Sequence, residues 1–272
     1  MTTYCRAAMN YVGPDGFGGG LRAVEVEISD GRRARLPGWR DCGFERLDHS
    51  SSVQDWTDDV EIATVHYPEA EALARSLTGC DHALVADHVK RSAEDAKRER
   101  EQDPVRLVHS DFADDYGEIV RGNYRNVRGR GAAALARAGL TGDDVARARR
   151  IVMLQLWRNV GAPKMDLPVA WCDSRTVTRA EMVPFRYTGY VAGADPFDAV
   201  AIAEPEDPHR HRWYTFPALT ADEIVAFRTY DTEMVTAGTT YFTPHSAFRD
   251  PAVELGAPPR FSIELRIFCL DL

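Results

Sequence analysis

Residues 260–269 read Arg-Phe-Ser-Ile-Glu-Leu-Arg-Ile-Phe-Cys, a stretch in which two kinds of side chain alternate. Successive side chains of a β-strand point to opposite faces, so this stretch predicts a strand with two different faces. One face carries Arg260, Ser262, Glu264, Arg266 and Phe268, and the other carries Phe261, Ile263, Leu265, Ile267 and Cys269. A barrel strand has this pattern when its apolar face packs under helices or a second sheet and its polar face lines a ligand cavity.

The length and composition of the chain predict one large, mainly β domain with flanking helices. Of its 272 residues, 44% are hydrophobic and 28% are charged, which is sufficient for a well-buried core. We expect an N-terminal extension over about residues 1–60 and a helical insert over about residues 115–150, which is rich in arginine and alanine. Thr141 is the expected N-cap of a short helix in that insert.

The triplet His109-Ser110-Asp111 is a candidate for two ligands of one metal ion. It follows a short apolar run, residues 104–108, that predicts a strand, and side chains at i and i+2 of a strand share a face. Together with His245 it supplies two imidazoles and one carboxylate, the ligand set of a mononuclear non-haem Fe(II) site. Such a site keeps three positions open for a co-substrate, O2 and water.

Two histidines are candidates for the second, distal histidine ligand of the metal. His211 lies in a stretch that predicts a strand, and it could bind iron or form a hydrogen bond in the cavity wall. We prefer His245 because only one short connection separates it from Arg260.

Arg260 and Ser262 form an Arg-x-Ser pair that suits a carboxylate. The guanidinium can bind both carboxylate oxygens, and the hydroxyl adds a donor. 2-Oxoglutarate fits this pair, with its keto acid on the iron and its distal carboxylate on Arg260. Arg266 lies on the same face and is a further candidate contact for this co-substrate. The alternative is that these are solvent-facing charges on an edge strand.

Blocks of sequence over nearly the whole chain match one known family. They are residues 43–47 (GFERL), 67–79, 87–91 (DHVKR), 108–111 (VHSD), 156–158 (LWR), 167–175 (LPVAWCDSR), 211–214 (HRWY), 242–248 (FTPHSAF) and 259–266 (PRFSIELR). In these blocks the chain resembles the CmcJ/NvfI-like oxidoreductases, which include gibberellin-desaturase and AsaB-type proteins. These are Fe(II)/2-oxoglutarate enzymes of secondary metabolism.

The resemblance implies a fold, a site and a reaction class. The fold is a double-stranded β-helix, a jelly-roll and cupin-like core. The implied iron ligands are His109, Asp111 and His245, and the implied 2-oxoglutarate contacts are Arg260 and Ser262. Because halogenases on this scaffold lack the carboxylate ligand, the resemblance favours hydroxylation, desaturation or ring formation. The chain departs from the family at Gln155, where asparagine is more usual, and at Asn159-Val160, where Pro-Leu often follows Trp-Arg. These departures leave the implied metal site intact, but the family's substrate preference is not carried over.

Several further residues are candidates for the substrate pocket or for ordinary core. The aromatic candidates are Trp157, Trp213, Tyr214 and Phe248. Arg158 and Arg175 could hold an acidic substrate group or form buried ion pairs. Arg121, Arg125, Arg128 and Arg130 could bind an anionic substrate or form a solvated helix face.

Charge and hydropathy limit which partners the protein can bind and where we expect it to be located. A formal net charge of −9 argues against nucleic acid, because binding a phosphate backbone calls for a basic surface. No apolar stretch of membrane-spanning length and no signal-peptide start is present, so we expect a soluble, cytoplasmic protein. Five scattered cysteines predict reduced thiols. The expected partner is a small natural product, and a homodimer is left open.

Two other functions are compatible with the same residues. A cupin-like hydrolase or isomerase would use the metal without a keto acid and would have no use for Arg260. A non-catalytic barrel would bind a small ligand as a carrier or regulator.

Overall fold

Two β-sheets carry the fold in the computed structural model, which describes residues 2–92, 104–125, 127–187, 197–254 and 256–272. The strands are β1 (Thr3–Gly13), β2 (Gly16–Asp30), β3 (Phe44–Asp48), β4 (His82–Ser92), β5 (His109–Ser110), β6 (Arg150–Asn159), β7 (Val169–Cys172), β8 (Met182–Tyr187), β9 (Phe197–Ile202), β10 (Trp213–Thr215), β11 (Glu223–Asp231), β12 (His245–Ala247) and β13 (Phe261–Asp271).

Short helices flank these sheets. They are α1 (Trp39–Cys42), α2 (Asp59–Glu61), α3 (Tyr67–Thr78), α4 (Tyr116–Tyr124), α5 (Gly129–Arg137), α6 (Gly142–Arg147) and α7 (Thr232–Thr236). A π-helical turn over Ile62–His66 joins α2 to α3. Across the described ranges, no helix is both long and apolar enough to cross a membrane.

The order of the strands explains how the chain encloses a cavity. Among the described strands, one sheet has the order β1-β2-β10-β7-β12-β5-β9-β8 and the other β3-β11-β6-β13-β4. The consecutive strands β10, β11, β12 and β13 alternate between the two sheets, as in a jelly roll. Inward side chains meet between the sheets, where the rings of Trp157 on β6 and Trp171 on β7 have centroids 5.8 Å apart.

Strand β13 confirms the two faces that its alternating sequence predicts. Ile263 and Leu265 lie in a buried apolar cluster with Ala70 of helix α3, so this face is covered by a helix. On the other face, Glu264 lines a cavity between the sheets, together with Arg260 just before the strand. β13 pairs with β6 on one side and β4 on the other, so it is an inner strand and not the edge strand of the alternative interpretation.

The segments at the N-terminus and between β5 and β6 contain recognisable elements. β1 and β2 lie at one end of the eight-stranded sheet, and α4, α5 and α6 lie between residues 116 and 147. Thr141 caps α6 through a capping box with Asp144, as expected from the sequence. The division into a domain with an extension and an insert stays a prediction.

Glu223 is a buried carboxylate that ties β11 to two neighbouring segments. Its oxygens accept hydrogen bonds from both terminal nitrogens of Arg32, at 2.6 and 2.8 Å, and from Arg46 at 2.7 Å. Burial raises the pKa of this carboxyl. Hydrogen bonds from Arg32 and from the Thr220 N–H outweigh burial, so the net effect lowers the pKa to about 2. The ionised form therefore stabilises the fold.

We expect Glu223→Gln to lower the free energy of unfolding at pH 7 by about 1.5–3 kcal/mol, because charged hydrogen bonds are lost. Because the pKa of Glu223 is lower in the folded than in the unfolded protein, its contribution to stability is complete at a pH above the unfolded pKa. This contribution is lost as the pH falls toward about 2. The difference between wild type and variant should therefore shrink in acid, as measured by urea unfolding at several pH values. Glu25→Gln, in an exposed pair with Arg6 at 3.9 Å, is the control and should change stability by under about 0.5 kcal/mol. An equal loss in both variants would contradict the prediction.

Candidate metal centre

His109 and His245 lie directly opposite each other in the eight-stranded sheet. His109 begins β5, His245 begins β12, and the two residues form an antiparallel pair. Their ring centroids are 4.3 Å apart. β12 also pairs with β7, where His245 lies opposite Trp171, so the position of β12 is fixed from both sides. The pairing of two short strands therefore brings together histidines that are far apart in the sequence.

Asp111 follows β5 and places its carboxylate beside the two imidazoles. Its Oδ2 is 3.7 Å from Nε2 of His245, and one donor atom from each of the three residues lies within 4.8 Å of the others.

The strand that we predicted over residues 104–108 is wrong in position. Leu107 forms only an isolated bridge with Asn10, and the sheet pairing begins at His109 because β9 and β12 are its partners there.

The protein fixes which nitrogen of each histidine can bind a metal. Nδ1 of His109 lies 2.8 Å from the carbonyl oxygen of Leu107, and Nδ1 of His245 lies 3.1 Å from that of Thr243. A carbonyl only accepts, so each Nδ1 carries the proton and each Nε2 keeps a free lone pair. Metal-binding histidines are oriented in this way in many proteins. The three residues therefore fit a divalent metal ion.

The electrostatics of the group favour the protonation states that a metal requires. Burial and the neighbouring His245 imidazole lower the pKa of His109 to about 3, so this ring is neutral. Burial raises the pKa of Asp111, but the Arg266 guanidinium and the hydrogen bond from Gln155 lower it to about 2, so this side chain is ionised. Two neutral imidazoles and one carboxylate are the donors of the mononuclear Fe(II) oxygenase centre.

Two polar side chains of the opposite sheet contact the Asp111 carboxylate. Nε2 of Gln155 lies 2.5 Å from Oδ2, and Nη2 of Arg266 lies 3.2 Å from Oδ1 and 3.5 Å from Oε1 of Glu264. Arg266 therefore contacts the candidate metal ligand, although its sequence pattern predicted a contact with 2-oxoglutarate. Sequence reasoning noted Gln155 only as a departure from the family pattern and missed its contact with Asp111.

The three candidate ligands share one cavity with Arg260. The cavity is lined by Arg91, Val105, His109, Asp111, Trp157, Val169, Phe227, His245, Ala247, Arg260 and Glu264. The imidazoles and the arginine project into it from opposite sheets, because β5 and β12 belong to one sheet and β13 to the other. A ligand in this cavity could therefore touch the metal and the guanidinium at once.

Arg260 is a buried cation that forms no ion pair within the part of the chain that the structure describes. It is 4% exposed, its Nε donates to Oγ of Ser262 at 2.9 Å, and its Nη1 donates to the carbonyl of Leu167 at 3.3 Å. The guanidinium carbon lies 5.4 Å from the ring centroid of Trp157. Burial, with the charge of Arg91, lowers the pKa of Arg260 to about 9. A buried guanidinium without a carboxylate is suited to an anionic ligand.

Trp157 and Arg158 are neighbours on β6 and point to opposite sides of the sheet. Trp157 lines the cavity, and its indole N–H has no acceptor among the described residues. Arg158 points away from the cavity, where it donates to the carbonyls of His49 and Ala221. Arg158 therefore does not reach the cavity, because the alternation of the strand gives the inward position to Trp157.

Three other aromatic candidates are buried elsewhere. The indole N–H of Trp213 donates to the hydroxyl of Tyr11 at 2.9 Å, and the Tyr214 ring centroid lies 5.9 Å from that of Phe44. Phe248 lies in a buried apolar cluster with Trp213. These three side chains are absent from the described lining of the cavity. They lie in the core, which was the alternative interpretation of each.

His211 lies in a buried chain of hydrogen bonds outside the metal centre. Its Nδ1 is 3.0 Å from the hydroxyl of Tyr11, and its Nε2 is 3.1 Å from Oε1 of Glu181. Both ring nitrogens are therefore occupied by protein groups. Of the two candidate distal ligands, the structure brings only His245 to His109 and Asp111.

The remaining arginine candidates do not line the cavity where the structure describes them, and Arg125 and Arg128 are exposed. Arg175 pairs with the buried Asp173 at 2.7 Å, and Arg121 pairs with Glu118 at 2.9 Å. The side chain of Arg130 belongs to the part of the chain that the structure does not describe. Arg175 and Arg121 therefore do not line the cavity.

We expect His245→Ala to lose stoichiometric Fe(II) binding, because only two of the three ligands remain. His211→Ala should keep its iron and lose about 1–3 kcal/mol of unfolding free energy, since Glu181 is left without one of its buried partners. Iron content after anaerobic reconstitution, with urea unfolding of each apo protein, measures both effects. Full iron content in His245→Ala would overturn the assignment.

Two curated relatives carry names of oxidative enzymes. One is the hydroxylase/desaturase CTB9 of Cercospora beticola, 27% identical over 83% of this chain and 69% of the relative. The other is the Fe(II)/2-oxoglutarate-dependent dioxygenase nvfI of Aspergillus novofumigatus, 26% identical over 74% of this chain and 64% of the relative.

A solved structure shows the same fold. A variant of the iron and alpha-ketoglutarate-dependent endoperoxidase NvfI superposes with a TM-score of 0.78 at 21% identity, covering 99% of this chain and 98% of the other. This likeness confirms the mainly β, jelly-roll fold that we predicted.

A family model covers almost the whole sequence. The model is described as "Oxidoreductase/YMDC permease-like domain", and it matches residues 10–270. The chain therefore belongs to this oxidoreductase family, and its relatives confirm the predicted resemblance to the CmcJ/NvfI-like proteins.

Proposed function

We propose that this protein is an Fe(II)/2-oxoglutarate-dependent oxygenase that oxidises a small molecule of secondary metabolism. The observation that carries the proposal is one cavity that holds both a complete facial triad and a buried arginine without an ion pair among the described residues. A structural metal site would leave no open coordination positions. A triad without a keto acid would have no use for the buried Arg260.

His109, Asp111 and His245 would hold the iron on one side. When bound, the iron with O2 and the keto acid supplies the oxidising chemistry, and the protein supplies binding and orientation. Each imidazole presents Nε2 because its Nδ1 donates to a backbone carbonyl. The imidazoles therefore need no change of tautomer to bind the metal, and this preorganisation reduces the cost of binding.

Arg260 would bind the distal carboxylate of 2-oxoglutarate. Its Nε is occupied by Ser262 and its Nη1 by the carbonyl of Leu167, so Nη2 stays available to an anion. The guanidinium lies over the ring of Trp157, and this cation–π contact helps to fix its position. Ser262 acts mainly by orienting Arg260, a role that differs from the direct contact we predicted.

The substrate would be oxidised in a site with little water. Trp157, Phe227 and Val169 contribute apolar surface to the cavity, and such surface excludes water and strengthens the electrostatic interactions within. The names of the relatives include hydroxylase, desaturase and dioxygenase, which supports hydroxylation, desaturation or oxidative ring formation here. The cytoplasmic location and the homodimer remain predictions.

Anaerobic addition of Fe(II) and 2-oxoglutarate should produce a weak charge-transfer absorption band at roughly 500 nm, the approximate position for a chelated keto acid. On exposure to O2 the mixture should form succinate. A metal hydrolase or isomerase would bind Fe(II) without this band. A non-catalytic barrel would bind no iron, and either result with well-folded protein would overturn the proposal.

We expect Arg260→Leu to raise the Kd for 2-oxoglutarate roughly 100-fold, because a buried charge-assisted contact is lost. The control ligand is 2-oxobutanoate, which has the same keto acid without a distal carboxylate. The same substitution should change the Kd for 2-oxobutanoate by less than about threefold. Both constants come from titration of the charge-transfer band. Equal losses for the two keto acids would place the distal carboxylate elsewhere.

A further inference from the structure

We propose that Gln155 is a positioning residue of the metal centre, which selects the oxygen of Asp111 that faces the iron and holds it in place. The inference rests on the proposed function, since it concerns the same iron site.

Gln155 comes from the sheet opposite the histidines and reaches across the cavity. It lies on β6, is fully buried, and is paired with Arg266 of β13 and with Phe227 of β11. Strand alternation gives Gln155 the same inward orientation as Trp157 two positions later. Gln155 and Arg266 therefore form a side-by-side pair of donors, both directed at Asp111.

The two donors bind different oxygens of the Asp111 carboxylate. Gln155 binds Oδ2, and Arg266 binds Oδ1. Oδ2 is also the oxygen that lies 3.7 Å from Nε2 of His245, so it faces the space between the candidate ligands. The charged guanidinium thus holds the outer oxygen, while the neutral amide holds the inner one and leaves it a lone pair for the metal.

The orientation of the amide follows from the chemistry of its partner. The ionised Asp111 only accepts hydrogen bonds, so the NH2 group of Gln155 must face it. The carbonyl oxygen, Oε1, then points elsewhere, and it is buried with no hydrogen-bond partner among the described residues. An unpaired buried acceptor costs about 1–3 kcal/mol. The side chain therefore keeps its donor end on Asp111, although its acceptor end has no partner among the described residues.

The length of the side chain matters for this contact. Asparagine, which is more usual in the resembling family, is shorter by one carbon–carbon bond of about 1.5 Å. From the same backbone position it could not approach Oδ2 to 2.5 Å. The glutamine therefore gives this chain a different support for its carboxylate ligand.

The test measures metal binding of the full-length apo protein, with Co(II) as the spectroscopic probe under anaerobic conditions. Gln155→Met keeps the approximate volume and removes both polar groups, and Gln155→Asn keeps the amide and removes the reach. We expect both variants to raise the Co(II) Kd 10- to 100-fold, the range typical for residues that orient metal ligands. The visible Co(II) spectrum should also change, because Asp111 can rotate.

Thr229→Val is the matched control. Its hydroxyl is the other contact of the Gln155 amide, at 3.4 Å, and it does not touch Asp111 in the described hydrogen bonds. We expect its Co(II) Kd and spectrum to stay those of wild type.

Apo stability separates positioning from a purely structural role. Gln155→Met removes one donor to Asp111 together with an unpaired buried acceptor, so the two effects on stability oppose each other and its apo melting temperature should change little, although its metal affinity falls. Wild-type Co(II) affinity and spectrum in both Gln155 variants would overturn the inference and leave the proposed function intact. A wild-type protein that binds neither Co(II) nor Fe(II) would instead overturn the proposed function.

Discussion

The pairing of His109 with His245 is the contact on which the site depends. β5 and β12 are only two and three residues long, and they are held because each has a second partner, β9 for β5 and β7 for β12. A shift of one residue in either strand would turn its histidine to the other face of the sheet. The register of two short strands therefore determines whether a metal site exists, and the larger sheets serve to fix that register.

Strand β13 organises the other half of the cavity. Arg260 and Arg266 are six residues apart, which is roughly 20 Å along an extended strand. Arg266 lies at the level of Asp111 and contacts it, whereas Arg260 lies at the far end beside Trp157. This separation explains why the two arginines serve different groups, although they share one face in the sequence.

The alternation of single strands could be predicted from the sequence, but their spatial neighbours could not. The faces of β13 follow from period-two alternation, and the triad follows from the i, i+2 spacing of His109 and Asp111 with a preferred His245. Arg158 was one candidate for the substrate pocket, and because both faces of β6 are buried, the sequence does not show which of Trp157 and Arg158 points into the cavity. The contact of Gln155 with Asp111 joins two strands distant in the sequence, and no local pattern predicts it.

The two ends of the cavity differ in their electrostatics, because Asp111 forms an ion pair with Arg266 and Arg260 forms none among the described residues. Burial opposes the charges of Asp111 and Arg260, yet Asp111 stays ionised because the Arg266 guanidinium compensates its charge. At Arg260, burial and the charge of Arg91 outweigh the effect of Glu264 and Asp166, and the pKa is lowered to about 9. An anion beside it would restore the ordinary preference for the charged form. The buried charge of Arg260 thus carries an electrostatic cost that a dicarboxylate would remove, which favours binding of the co-substrate at that end of the cavity.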